Sequence, residues 1–211
     1  MPRPIRIQDA GYLHHVICRG NNQQAIFKSS QDFQEYLSLV DKTRKIYPVK
    51  LYNYVLMDNH IHLLVEPMEE GSLSKFMEHV SKAYAKYFNK THDHNGHVFQ
   101  GRFKSFIVQS ERYFYACSRY IDMNPVKANI AADPRLYEWS GYNSLAFGKS
   151  GPIAIDQHIL YLNLGKSPEE RQAGYRVLVH NYQGEELNLL DRRVCVLGDA
   201  EFKEKFKGEN V

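Results

Sequence analysis

The chain has 211 residues, 43% hydrophobic, 24% charged and with a formal net charge of +3, enough for one domain with an appendage but too few for two independent domains. No apolar run approaches the roughly 20 residues that cross a bilayer, and MPRPIRIQ lacks a signal peptide's apolar core, so an intracellular protein with no membrane contact is expected. Cys18, Cys117 and Cys195 are odd in number, widely spaced and in no CxxC arrangement, which argues against a disulfide framework or a thiolate zinc site and for buried thiols. Charge is uneven: residues 1–130 carry 17 Lys+Arg against 12 Asp+Glu, and residues 131–211 carry 10 against 12. That bias favours a polyanionic partner only weakly.

YLHHVICR (12–19) is rich in strand formers and runs into GNNQQ, a turn composition. From Asp32 the apolar positions Phe33, Tyr36, Leu37, Val40 and Tyr47 keep helical spacing until Pro48. KLYNYVLM (50–57), Asp58-Asn59 and HIHLLVEP (60–67) form a hairpin pattern, two strand-like runs around two turn residues. Gly71-Ser72 introduces a second helix whose apolar set is Leu73, Phe76, Met77, Val80, Tyr84, Tyr87 and Phe88. GHVFQGRFKSFIVQ (96–109) reads as a fourth strand whose glycine marks a bulge or a close approach. Ser110 caps a third helix that runs to about Asn124, where Pro125 ends it.

The order β-α-β-β-α-β-α is that of a split βαβ unit, so the expected class is α+β with a ferredoxin-like antiparallel sheet. Beyond Trp139 the periodicity fades. GKSGP (148–152) reads as a linker, SPEERQAGYRVLVHNY (167–182) as a capped helix and DAEFKEKF (199–206) as a short terminal one. The expected organisation is a domain over residues 1–148 and an extension over 149–211.

His60 and His62 are one residue apart in a strand, so their side chains share a face about 6.6 Å apart and can converge on one ion. A bare His-x-His is more often two unrelated histidines in a half-buried strand. Tyr120 and Asn124 are four apart, stacked on one helix face, a nucleophile beside an oxygen ligand. Two imidazoles and an amide oxygen suit Mg²⁺ or Mn²⁺ held with waters; the competing reading is a core tyrosine followed by a helix-capping asparagine. Lys75, Lys82, Lys86 and Lys90, with His79, form a stripe on the polar side of the second helix, and Gln100, Arg102 and Lys104 fall on one face of the fourth strand. Both sets are candidate phosphate or base contacts, against the plainer reading of a solvated face.

Taken together, the segments HHVICRGNNQQAIF, VLMDNHIHLLVEP, GHVFQGRFKS, RYIDMNPVKANI and WSGYNSL resemble, in order, the REP-associated tyrosine transposases of the single-tyrosine HUH endonuclease superfamily. The resemblance covers most of residues 12–147, and the tail with RVCVLGDAEFKEKF is similar, more loosely, to an extension in one branch. It implies a single-strand DNA endonuclease and strand transferase that recognises a hairpin-forming repetitive extragenic palindrome. On that reading His60, His62 and Asn124 are metal ligands for Mg²⁺ or Mn²⁺, and Tyr120 is the nucleophile that forms a 5′-phosphotyrosine. The expected protein is cytoplasmic and nucleoid-associated, with an extension that assists DNA binding, and acts as a monomer in cis, with a helix-swapped dimer as the alternative. Two other readings stay open: a hairpin-binding module without catalysis, and a metal phosphoesterase that uses water and ignores Tyr120.

Overall fold

The hairpin forms where the sequence places it. Strands β2 (Val49–Met57) and β3 (His60–Pro67) are joined by the two-residue turn Asp58-Asn59, with one irregularity in their register between Leu51 and Asn53. The computed structural model describes residues 10–109, 112–181 and 196–206. Strand β1 (Leu13–Arg19) pairs antiparallel with β3 on one side and with β4 (Lys104–Val108) on the other. A two-residue strand, β5 (Val196–Leu197), adds parallel to β4, giving the order β2-β3-β1-β4-β5. The four antiparallel strands have the ferredoxin-like arrangement the element order predicts, and the fifth was not foreseen.

Helix α1 (Ser30–Ile46) starts at a reciprocal cap in which Ser29 and Asp32 satisfy each other's backbone donors. Helix α2 (Ser72–Thr91) follows Gly71, whose φ of 74° is a conformation that favours glycine. Both helices cover one face of the sheet. Tyr36 of α1 lies beside Cys18, whose neighbours Ile17 and Arg19 pair with His62 and His60 and so point the other way. Tyr36 meets Tyr84 of α2 edge-on at 5.1 Å. Trp139, stacked on Phe33 at 4.7 Å, closes this core near the β2 edge, where its carbonyl accepts from the Leu56 N–H.

The opposite face is covered by α3 (Arg112–Asp122). The helix predicted to run to Asn124 stops two residues earlier. Pro125 does not end it: Asn124–Lys127 form a separate turn, α4, with Pro125 at its start, where a missing N–H costs nothing. The proposed cap Ser110 lies outside the described residues, as does Cys195; Cys18 and Cys117 are buried. The fourth strand is shorter than predicted. It begins only at Lys104, and the preceding segment touches the sheet through a single bridge between Gly20 and Phe99. Gly101, at a φ of 86°, interrupts it, so Gln100 and Arg102 sit in a loop and not on a strand face with Lys104.

Helices α5 (Tyr142–Phe147), α6 (Ile159–Leu162) and α7 (Pro168–Asn181) share a small core of Tyr142, Leu145, Ala146, Tyr161, Tyr175 and Val179, which joins residues on both sides of position 148. Helix α7 reaches back to α3, where Arg119 donates to the Val179 carbonyl at 3.0 Å. Beneath it Asn53, Asp122 and Tyr175 form a buried polar group: Tyr175 Oη donates to Asp122 at 2.6 Å and Asn53 Nδ2 donates to it at 3.0 Å. Helix α8 (Ala200–Glu204), capped by Asp199, carries Phe202 onto Tyr12. Among the described residues no helix is long and apolar enough to cross a membrane.

Candidate active site

Alternation along β3 sends His60 and His62 to the α3 face, and antiparallel pairing with β1 sets Arg19 opposite His60 and Ile17 opposite His62. His15, two residues further along β1, shares that face. The four residues singled out from spacing come together here. The His60 and His62 rings lie 5.0 Å apart, nearly perpendicular, and the Tyr120 ring is 5.4 Å from His62. Asn124 reaches back from α4: its Nδ2 donates to the Tyr120 carbonyl at 2.7 Å, and its side chain also hydrogen-bonds the His60 ring.

The hydrogen bonds around each imidazole define what is left for a ligand. Asn59, the last turn residue, donates its Nδ2 to the Gln23 carbonyl, which fixes its amide so that Oδ1 faces His60 Nδ1 at 2.6 Å. His60 therefore holds its proton on Nδ1 and presents a lone pair on Nε2. The amide of Asn124 is already committed to Tyr120, so its oxygen is what faces that ring. A ring lone pair and a carbonyl oxygen converging on one point need a proton or a cation between them. Burial works against the proton by pushing the His60 pKa down, as does the neighbouring Arg19 charge, although the Asn124 hydrogen bond opposes this. His62, buried, is pushed well below the ordinary imidazole range. Two neutral imidazoles and an amide oxygen thus fit a divalent cation of the Mg²⁺ or Mn²⁺ kind, with further positions open to water or phosphate. Among the described residues no cluster of three His, Cys, Asp or Glu groups offers a competing cage.

Tyr120 is half-buried, and burial raises its pKa, with the Arg19 charge acting in the opposite direction. Lys127 Nζ lies 5.6 Å from its ring centroid. The hydroxyl of Tyr115 donates to the Leu160 carbonyl and is turned elsewhere. Two residues of the site were not singled out from sequence, His15 and Arg19. Counting β1 by twos from its pairing with β3 would have placed both on the histidine face, but that register is set by the fold.

The family model for IS200-like transposases matches residues 9–124, a span that takes in His60, His62 and Tyr120 and closes on Asn124. The chain belongs to the IS200-like transposase family. Among solved structures this IS200-like transposase is similar to a REP-associated tyrosine transposase bound to a REP hairpin, with a TM-score of 0.58 at 18% identity over 74% of this chain and 93% of that one. It is also similar to a Deinococcus radiodurans R1 protein inferred to be a transposase, with a TM-score of 0.38 at 13% identity over 59% of this chain and 97% of that one. No curated protein matches it significantly. The first likeness shows a shared fold, and the family assigns a transposase-type role in DNA processing.

The candidate DNA contacts divide between the two faces. Lys104 pairs with Ile17 and so points to the site face, while Gln100 donates its backbone N–H to the Arg19 carbonyl beside the site, and Arg102 is exposed between them. Lys82 and Lys86 are exposed on α2, across the sheet from His60, and Lys82 is paired with Glu78.

Proposed function

We propose that this transposase cleaves and rejoins single-stranded DNA at hairpin-forming repetitive palindromes, through a covalent link between Tyr120 and a 5′-phosphate. The grouping of His60, His62 and Asn124 on one face of the sheet, with Tyr120 against His62, carries the reading. The neighbour of the same fold bound to a REP hairpin supports the substrate class. Bound at His60, His62 and Asn124, Mg²⁺ or Mn²⁺ would screen the scissile phosphate and stabilise charge on its non-bridging oxygens.

The chain's own residues do the rest. The Tyr120 oxygen attacks phosphorus in line, its bond to phosphorus forms, and the bond to the 3′-oxygen breaks. The phenol proton passes to solvent, to which half-buried Tyr120 is open, and the departing 3′-oxygen takes one up, so no net proton is consumed. A free phenol ionises near pH 10, and burial makes this harder. The Arg19 and Lys127 charges beside Tyr120 favour the phenolate in compensation. Because the phosphodiester energy is kept in the tyrosyl ester, a second 3′-hydroxyl can reverse the step on another strand. Tyr120 sits against the His62 of its own chain, which supports a monomer acting in cis.

The test is a denaturing gel with a 3′-labelled hairpin library and Mg²⁺ or Mn²⁺. Wild type should give a covalent adduct that maps to Tyr120, and Tyr120→Phe, which removes only the oxygen, should bind hairpin without cleaving it. An adduct on another tyrosine, or full cleavage by Tyr120→Phe, would overturn the assignment. Binding without cleavage on every target would leave a DNA-binding protein, and multiple turnover with no adduct would point to hydrolysis by water.

A further inference from the structure

His15 is fully buried beneath the site, and its ring stacks on His62 with centroids 5.0 Å apart. Its Nε2 lies 2.9 Å from His62 Nδ1, so the two imidazoles share one hydrogen bond. We propose that His15 is a positioning residue that accepts the Nδ1 proton of His62 and thereby leaves the His62 Nε2 lone pair directed at the cation site. The inference rests on the phosphoryl-transfer reading above and assigns a role to a residue which that mechanism does not use.

One proton lies between the rings, and its owner decides what His62 can do. Both rings are buried, which disfavours a charge on either. If His15 donated, His62 would carry its own proton on Nε2 and offer a cation nothing but an N–H. If His62 donates, its Nε2 is free and His15 keeps its proton on Nδ1, a buried atom with no hydrogen-bond partner among the described residues. The second matches the other half of the site. Asn59 already holds His60 in the Nδ1–H form, and His15 occupies the same place relative to His62. Metal-binding histidines are commonly oriented by a partner on the second nitrogen, usually an oxygen; here β1 supplies a neutral imidazole, which leaves no carboxylate to add charge beside the phosphate.

The tautomers are read directly in full-length, metal-free protein by long-range ¹H–¹⁵N correlation of labelled histidines at neutral pH. The expected result is His62 protonated on Nδ1 with a pyridine-like Nε2. Mn²⁺ titration of two variants then tests the consequence. His15→Leu fills space without an acceptor and should bind Mn²⁺ 10- to 100-fold more weakly, while His15→Gln restores an acceptor oxygen and should recover most of the affinity. A His62 proton on Nε2 in wild type, or a folded His15→Leu that binds Mn²⁺ as tightly as wild type, would overturn the inference. The tautomer is read without metal, so it decides the role of His15 even if wild type took up no Mn²⁺, a result that would instead count against the phosphoryl-transfer reading.

Discussion

At the scale of single residues, Asn124 holds two jobs that substitution can separate. Its amide N–H satisfies the Tyr120 carbonyl near the end of α3, one of the acceptors a helix terminus leaves open, and its oxygen faces His60. Asn124→Ala should therefore lose both, weakening Mn²⁺ binding at least tenfold and costing about 1 kcal/mol of stability. Asn124→Asp keeps an oxygen but cannot donate, so calorimetry should show Mn²⁺ affinity retained while the urea midpoint falls. Unchanged metal affinity in Asn124→Ala would reduce the residue to a cap. Arg19 makes a separate case. It is exposed, and its charge acts on His60, His62 and Tyr120 together. Arg19→Ala should leave folding intact and lower single-turnover cleavage about 100-fold, the scale on which a group facing developing charge acts, with hairpin affinity much less affected. His60 and His62 could be found from sequence because they lie within one strand, where a fixed period decides which side chains meet, and Tyr120 and Asn124 because Met123, between α3 and α4, keeps a helical backbone and its N–H bonds the Arg119 carbonyl, so the four-residue spacing survives the break. His15 and Arg19 could not, because their place in the site depends on how β1 registers against β3, a long-range pairing.

At the scale of elements, the helix carrying Tyr120 is held from both sides, by β2 below and α7 above, and Asp122 sits at their junction. Burial raises its pKa to about 7 against the hydrogen bonds from Tyr175 and Asn53. A carboxyl whose folded pKa is raised favours folding when protonated. Its contribution is complete below about pH 4 and is lost as pH rises to about 7, at about 1.4 kcal/mol per pH unit across that window. Urea denaturation of wild type should thus show stability falling between pH 5 and pH 7, and Asp122→Asn should flatten that slope; parallel slopes would mean that another group is responsible. Sequence reading located the hairpin, the first two helices and α7 because turn residues and apolar periodicity agree there. The helix reads as running on to Asn124 because a proline usually marks a stop, whereas here Pro125 sits in the first turn of a new helical segment, where its missing N–H is tolerated. Sequence reading lengthened the fourth strand because Phe99 and Phe103 read as strand formers although Gly101 breaks the pairing between them. It missed β5 because two residues carry no periodicity, and only their pairing with β4 makes them a strand.

At the scale of the whole molecule, the sheet separates two basic surfaces, and only one shares a face with the chemistry. Lys104 points to the side of His60 and His62, with Arg102 exposed in the adjoining loop, whereas Lys82 and Lys86 lie on the α2 side. On the proposed reading, a strand whose phosphate reaches Tyr120 would run past Arg19, Arg102 and Lys104. Each phosphate neutralised by such a cation releases a counterion, so the slope of log affinity against log salt counts the contacts, at about 0.7 per phosphate for single strands and 0.9 for duplex. The paired substitution Arg102→Ala with Lys104→Ala should therefore weaken hairpin binding and make the slope shallower by between 1 and 2, uniformly across target sequences. Lys82→Ala with Lys86→Ala removes the same formal charge from the far face, where Glu78 already balances Lys82, and should leave the slope within error of wild type. Fluorescence anisotropy of a labelled hairpin from 50 to 300 mM salt, without divalent metal to prevent cleavage, reads both. If the α2 pair changed the slope and the Arg102 and Lys104 pair did not, the DNA would have to cross the α1 and α2 layer, and the path proposed here past Arg19 to Tyr120 would be wrong.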